Sequence, residues 1–156
     1  MQYGGKMNLS EFNNVLDFAI EKEKEAVAFY NELQNKTEFT ALKQMLSDLE
    51  NMEKGHIKVI ENIREKGISE AIIKEITPFS YSDNYEEPDN YQNLDFPSIL
   101  LIAIKREDKS FNLYSAMVER VSDVTLKNLF KQLANEEAQH KLRFEKLYEE
   151  TILKDN

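Results

Sequence analysis

The feature that most constrains this chain of 156 residues is an internal repeat. The segment AIEKEKEAVAFY begins at Ala19, and AIKREDKSFNLY begins at Ala103, an offset of 84 residues. The same register continues without a gap through residues 19–63 and 103–147, where 11 of the 45 aligned pairs are identical. Glu, Tyr and His residues are prominent among the identities. We therefore expect two similar structural halves that share a set of polar positions.

Within each copy, apolar residues recur at intervals of three and four, which is typical of one face of an α-helix. Gly and Pro, the residues that most often interrupt helices, number only 4 and 3. We predict four helices, at about 9–35, 38–66, 98–120 and 123–150. They form two helical hairpins, at about 9–66 and 95–150, which are joined by a long crossover at 67–97. The predicted fold class is all-α.

Polar residues that can cap helices stand where these segments begin. Asn8 or Ser10 can cap the first helix, and Ser122 or Asp123 can cap the fourth. Asp95 precedes the third helix, and it is followed closely by a proline whose fixed φ suits a first turn. The whole of 8–152 is expected to be one domain, with residues 1–7 as a flexible extension.

Composition excludes several classes of function. The net charge of −9 and the pI near 4.8 disfavour nucleic acid or an anionic membrane as a partner, because a phosphate surface would repel the chain. No apolar run approaches the roughly 20 residues that span a bilayer, and residues 1–10 lack the apolar core of a signal peptide. A cytoplasmic location is expected. Because cysteine is absent, any bound metal is held by oxygen and imidazole ligands.

Both histidines of the chain stand three residues after a glutamate, in E-K-G-H and E-A-Q-H. Three helical residues turn about 300°, so each Glu and His project from neighbouring points of one helix face and can bind one ion together. Glu53 aligns with Glu137 and His56 with His140 in the repeat register. Two copies that use every histidine of the chain are stronger support for a metal site than the spacing alone.

The apolar stripes place these side chains on the core faces of their helices. Two further glutamates, Glu23 and Glu107, continue the stripes of the first and third helices and align with each other. Burying unpaired carboxylates costs several kcal/mol, so four converging glutamates need cations. Two divalent ions balance four carboxylates. The donor set favours iron, with manganese as the alternative, over structural zinc, calcium or magnesium. The predicted metal ligands are Glu23, Glu53, His56, Glu107, Glu137 and His140.

With these residues in place, the chain over about 9–150 resembles the rubrerythrin and bacterioferritin branch of the ferritin-like superfamily. The resemblance implies an antiparallel four-helix bundle with a long crossover between its second and third helices. It also implies that Glu53 and Glu137 bridge two iron ions and that each histidine binds one of them. Tyr30 and Tyr114, two turns after the first glutamates, resemble tyrosines that hydrogen-bond to the site carboxylates in this superfamily.

Departures from the family pattern narrow this expectation. A full rubrerythrin carries an iron–cysteine domain, which a chain without cysteine lacks, so electrons must come from a separate donor protein. Ser110 stands where rubrerythrin-like sites often have an additional glutamate, which leaves open the ligand exchange attributed to such sites. The methionine that binds haem in bacterioferritins has no counterpart, so no haem is expected. A homodimer is the family expectation.

The expected function is therefore reduction of hydrogen peroxide or dioxygen at a di-iron site, as a rubrerythrin-like peroxidase or ferroxidase. Three alternatives stay open. They are an iron-binding, storage or delivery protein without turnover, a dimanganese site similar to that of manganese catalases, and a structural bundle without metal. Other glutamates, among them Glu50 and Glu61, are interpreted as solvated surface charges.

Overall fold

The computed structural model describes residues 9–66 and 95–155. The described residues form four α-helices, and strands are absent from this part of the chain. The helices are α1 (Leu9–Lys36), α2 (Thr40–Lys66), α3 (Phe96–Arg120) and α4 (Val124–Asp155). The chain divides into two compact units, Met1–Pro78 and Phe79–Asn156, and each contains one pair of helices.

In the first unit, α1 and α2 pack as an antiparallel hairpin across a turn of three residues. The hydroxyl of Thr37 accepts a hydrogen bond from the Phe39 backbone N–H at 3.3 Å, and this bond holds the turn. At the opposite end, Arg64 Nε donates to Asp17 Oδ1 at 2.9 Å. Both helices bury an apolar stripe that includes Leu16, Ile20, Leu33, Leu46, Leu49 and Ile60. These contacts fix the register of α1 against α2.

In the second unit, α3 and α4 form the corresponding hairpin, and a carboxylate caps each helix. Asp95 Oδ1 accepts from the Ser98 backbone N–H at 2.8 Å, and Asp123 Oδ2 accepts from Leu126 N–H at 3.0 Å. Each bond satisfies a backbone donor that has no partner within its own helix. The buried stripe of this unit includes Leu100, Ala103, Met117, Phe130, Leu133 and Phe144.

The predicted helices agree closely with the observed ones, with differences at the ends. α3 begins at Phe96, two residues before its predicted start, and Pro97 lies in its first turn, as its fixed φ predicted. A proline is tolerated there because its missing N–H has no partner in the first turn of a helix. α4 continues to Asp155, beyond the predicted end near 150, because neither Gly nor Pro follows Glu150.

Some predictions fall on residues that are not described. They are the extension at 1–7, the Asn8 cap and nearly all of the crossover, residues 67–94. Ser10, the alternative cap, lies inside α1. In the described part of the chain, none of the helices combines the length and the apolar character that a membrane span requires.

Candidate metal centre

The first unit gathers three buried potential ligands from two helices. Glu23 lies on α1, and Glu53 and His56 lie one turn apart on α2. The Nδ1 atom of His56 is 3.6 Å from Glu23 Oε2 and 3.6 Å from Glu53 Oε2. The exposed fractions are 1% for Glu23, 0% for Glu53 and 4% for His56. We call these three residues cluster 1.

The second unit repeats this arrangement at the aligned positions. Glu107 lies on α3, and Glu137 and His140 lie one turn apart on α4. His140 Nδ1 is 3.5 Å from Glu107 Oε2 and 3.9 Å from Glu137 Oε1. Each of the three residues is 1% exposed. We call them cluster 2.

The distances within each cluster suit ligands of a common metal ion. One ligand atom from each of the three residues lies within 4.8 Å of the other two, in both clusters. Distances of 3.5 to 3.9 Å between His Nδ1 and the carboxylate oxygens exceed those of ordinary hydrogen bonds. Two atoms that each lie about 2.1 Å from one ion are at most about 4.2 Å apart, so the observed separations leave room for an ion.

The chemistry of the donors fits the same interpretation. Each cluster has two carboxylates and one imidazole, so it carries an excess negative charge even when the imidazole is protonated. Burial of such an excess is unfavourable, and a divalent cation bound by the neutral imidazole would balance the two carboxylates. Carboxylate oxygen with imidazole nitrogen, without thiolate, is a donor set that binds iron or manganese. Each cluster is therefore a candidate metal site.

The two tyrosines of the repeat are buried on the same helices. Tyr30 is 0% exposed, and its ring lies 5.7 Å from that of Phe29, between centroids. Tyr114 is 1% exposed, and its ring stacks on that of Phe130, with centroids 6.4 Å apart. Each tyrosine follows its glutamate by seven residues, which is about 10.5 Å along the helix. The tyrosines therefore serve at least as core residues, and a role beside the carboxylates stays a prediction.

The interpretation of Glu50 as a solvated surface charge was wrong. Glu50 is 8% exposed, and it accepts hydrogen bonds from Gln34 Nε2 at 3.1 Å and from Lys54 Nζ at 2.9 Å. The hydrogen bond from Lys54 lowers the pKa of Glu50 below its ordinary value, burial opposes this shift, and Asn31 and Gln34 add to it. The sequence signal was the i, i+4 spacing of Glu50 and Lys54, which occurs on many solvated helix faces as well.

A second ion pair lies beside cluster 2. Lys141 Nζ donates to Asp108 Oδ1 at 2.8 Å, and this bond raises the pKa of Lys141. Asp108 directly follows Glu107, and Lys141 directly follows His140. The pair therefore links α3 to α4 next to two of the candidate ligands. Because both side chains are partly exposed, its contribution to stability is expected to be at most about 1 kcal/mol.

Comparison with solved structures identifies the class of fold. A protein from Thermotoga maritima described as a ferritin-like diiron-carboxylate protein matches 94% of this chain and 97% of its own, with a TM-score of 0.77 and 20% identity. A two-domain protein from Anabaena variabilis, described as containing DJ-1/ThiJ/PfpI-like and ferritin-like domains, matches 95% of this chain. That match covers 39% of the Anabaena protein, with a TM-score of 0.67 and 13% identity.

A conserved hypothetical protein from Mycobacterium tuberculosis matches 86% of this chain and 95% of its own, with a TM-score of 0.63 and 14% identity. No curated protein matches the sequence. At these identities the structural matches show the fold alone: the chain is an all-α, ferritin-like four-helix bundle, as its sequence predicted.

The sequence itself matches the rubrerythrin family over residues 14–148. Because this match covers most of the chain, the protein belongs to the rubrerythrin family. The matched range includes both clusters and both repeat tyrosines. The resemblance inferred from the repeat and the two E-x-x-H motifs is thereby confirmed.

Proposed function

We propose that the protein is a non-haem di-iron oxidoreductase that reduces hydrogen peroxide or dioxygen with electrons from a separate donor protein. The observation that carries this proposal is the pair of equivalent clusters, each with two buried glutamates and one buried histidine. Membership of the rubrerythrin family and the ferritin-like fold support it. The proposed ligands are Glu23, Glu53, His56, Glu107, Glu137 and His140.

In this proposal the two clusters act as the two halves of one dinuclear site. Each half supplies one glutamate from its first helix and a Glu-x-x-His pair from its second, the ligand pattern of di-iron carboxylate bundles. The four carboxylates offset the charge of two divalent ions. Glu53 and Glu137, one turn before the histidines, are the proposed bridging ligands, and His56 and His140 each fix one ion.

The bound iron pair supplies two electrons, which reduce one peroxide to two water molecules when two protons are added. The protein contributes the buried environment of this reaction. Burial of the glutamates excludes bulk water, which strengthens their electrostatic interaction with a cation. The phenol groups of Tyr30 and Tyr114 are proposed to donate hydrogen bonds to site carboxylates and so to orient them.

We propose that electrons enter from outside these 156 residues, which contain no cysteine that could hold an iron–cysteine centre. We propose a separate electron-donor protein for this role and, from the family resemblance, a homodimer as the assembly. Iron is the proposed metal. Manganese, in a catalase-like site that needs no external donor, is the alternative that the same donor atoms would accept.

Anaerobic loading with Fe(II) followed by hydrogen peroxide tests the proposal. We expect rapid loss of about one peroxide per iron pair, followed by recovery of the reduced state when a reductant is added. A matched Mn(II)-loaded sample tests the alternative, because a catalase-like site would release dioxygen without a reductant. Iron uptake well beyond two ions per chain, with slow peroxide loss, would instead indicate storage and refute the oxidoreductase assignment.

A further inference from the structure

The two hairpins differ at aligned positions along one flank of the buried stripe. In the second unit, a groove of about 280 Å³ lies between α3 and α4. Its lining consists of the small and apolar residues Phe111, Ser115, Val118, Ala134 and Ala138 and of the exposed polar residues Glu119, Lys131 and Asn135. Ala134 and Val118 are only 6% and 7% exposed, so they form its floor.

In the first unit, the repeat register puts larger polar residues at these positions. Ser115 aligns with Asn31 and Val118 with Gln34, while Ala134 and Ala138 align with Glu50 and Lys54. These four polar residues are the ones that hydrogen-bond around the Glu50 carboxylate. The space that is open between α3 and α4 thus corresponds to a position that a charged network fills between α1 and α2.

The groove lies close to cluster 2 along both of its helices. Phe111 comes one turn after Glu107 on α3. On α4, Ala134 comes one turn before Glu137, and Ala138 directly follows Glu137. The end of the groove formed by Phe111 and Ala138 therefore lies beside the helical turns that present cluster 2, and the groove extends from there along α3 to Val118. At the position next to Glu137, the short side chain of Ala138 replaces the long side chain of the aligned Lys54.

The size and polarity of the groove restrict what it can admit. Sites for drug-sized ligands and cofactors usually enclose about 300–1,000 Å³, so this open groove is at the lower limit of that range. Its floor offers the methyl groups of Val118 and Ala134, whereas the aligned positions of the first unit carry the amide of Gln34 and the carboxylate of Glu50. The charged side chains of Glu119 and Lys131 lie at its exposed edge. A floor of methyl groups suits a small neutral molecule.

We propose that the groove between α3 and α4 is the route by which dioxygen or hydrogen peroxide approaches cluster 2, while the Glu50 network closes the equivalent route in the first unit. This inference rests on the proposed function, since it assigns the oxidant a path to the same site. It makes the two halves of the repeat unequal: both supply ligands, and only the second admits the oxidant.

The first test uses the metal-free, full-length protein, so its result does not depend on metal chemistry. Dissolved dioxygen is paramagnetic and speeds the relaxation of methyl groups that it reaches. We expect relaxation of the Ala134 methyl to rise several-fold more than that of Ala26, although Ala26 is slightly more exposed, at 8% against 6%. Ala138→Leu should remove the difference, and Ala28→Leu, on the exposed side of α1, should not. Equal relaxation of Ala134 and Ala26 would overturn the proposal.

The second test transplants the network of the first unit into the second, as Val118→Gln/Ala134→Glu/Ala138→Lys. After anaerobic Fe(II) loading, the second-order rate of reaction with peroxide should fall several-fold, while the number of bound irons stays unchanged. If the triple variant does not fold, Ala138→Leu replaces it. An unchanged rate in a variant that folds and binds the full complement of iron refutes the route.

Failure of the unsubstituted protein to bind iron or to reduce peroxide refutes the proposed function instead. In that case the methyl relaxation still decides whether small molecules enter the groove.

Discussion

Replacing Glu53 by glutamine should stabilise the metal-free protein and weaken the metal-bound one. Glu53 is fully buried, and His56 Nδ1 lies 3.6 Å from both its carboxylate and that of Glu23. Cluster 1 holds two carboxylates for one imidazole, so even a protonated imidazole would offset only one of two ionised carboxylates. Glu53→Gln removes one carboxylate and keeps the shape of the side chain.

The size of the effect follows from the cost of burying that carboxylate. A buried polar group whose charge is incompletely offset costs about 1–3 kcal/mol on the scale of mutational measurements. For a chain of this length, each kcal/mol shifts Tm by about 2–4 °C, so the metal-free variant should melt roughly 2–12 °C above the unsubstituted protein. A ligand at about 100 times its Kd adds about 2.7 kcal/mol of stability, and the variant should lose most of this gain for the affected ion.

Differential scanning calorimetry with and without Fe(II), under anaerobic conditions, measures both changes. Glu61→Gln on the exposed side of the same helix is the matched control, and it should leave the metal-induced shift in Tm intact. The reasoning would be refuted if Glu53→Gln lowered the metal-free Tm and left the Fe(II)-induced shift unchanged. That result would identify Glu53 as a structural residue of the core.

Two further predictions concern stability. Glu50→Ala should lower the free energy of unfolding by about 1–3 kcal/mol at neutral pH, because the carboxylate that accepts from Gln34 and Lys54 is lost. Since the folded-state pKa of Glu50 lies below its ordinary value of 4.5, this contribution is present above that pH and is lost as the pH falls through the folded-state pKa. Urea titrations at several pH values measure the difference between the variants, and a difference that grows toward low pH contradicts the assignment. Asp123→Ala should cost about 1 kcal/mol through loss of the α4 cap, whereas Asp123→Asn should cost much less, and equal losses would rule out capping as the cause.

Most of the local structure was predictable from the sequence. The three-and-four spacing of apolar residues predicted each helix. Asp95 was predicted to precede α3, and Asp123 was one of two candidate caps of α4; both accept the capping hydrogen bonds, from Ser98 and Leu126. The positions of the helix ends were less predictable. α4 extends to Asp155 because nothing in the last residues of the helix interrupts it, and amphipathic spacing alone does not define such an end.

The candidate metal centre was predictable because the internal repeat allows one half of the sequence to be aligned with the other. Alignment of Glu53 with Glu137 and His56 with His140 separates these residues from many other acidic positions, and the structure buries all four. The position of Glu50 illustrates what spacing alone does not reveal. Glu50 and Lys54 are one turn apart, which is equally typical of a solvated face, and only the packing of Gln34 against them shows the burial.

The groove was also missed, although its signal was present in the same alignment. Substitution of Glu50 and Lys54 by Ala134 and Ala138 in the second copy removes two long side chains at one location. Whether that volume stays open depends on how far α3 and α4 approach each other, and sequence spacing does not determine this distance. The groove of about 280 Å³ shows that the helices do not close over it.

Anaerobic titration with Fe(II) tests the central claim most directly, because it counts the ions that the clusters hold. From the ligand count we predict saturation at about two Fe(II) per chain. Glu23→Ala and Glu107→Ala should each reduce the affinity for one of these ions, and Glu61→Ala should have no effect. Saturation at a single ion, or binding that survives the combined loss of Glu23 and Glu107, would contradict a dinuclear site built from the two halves of the repeat.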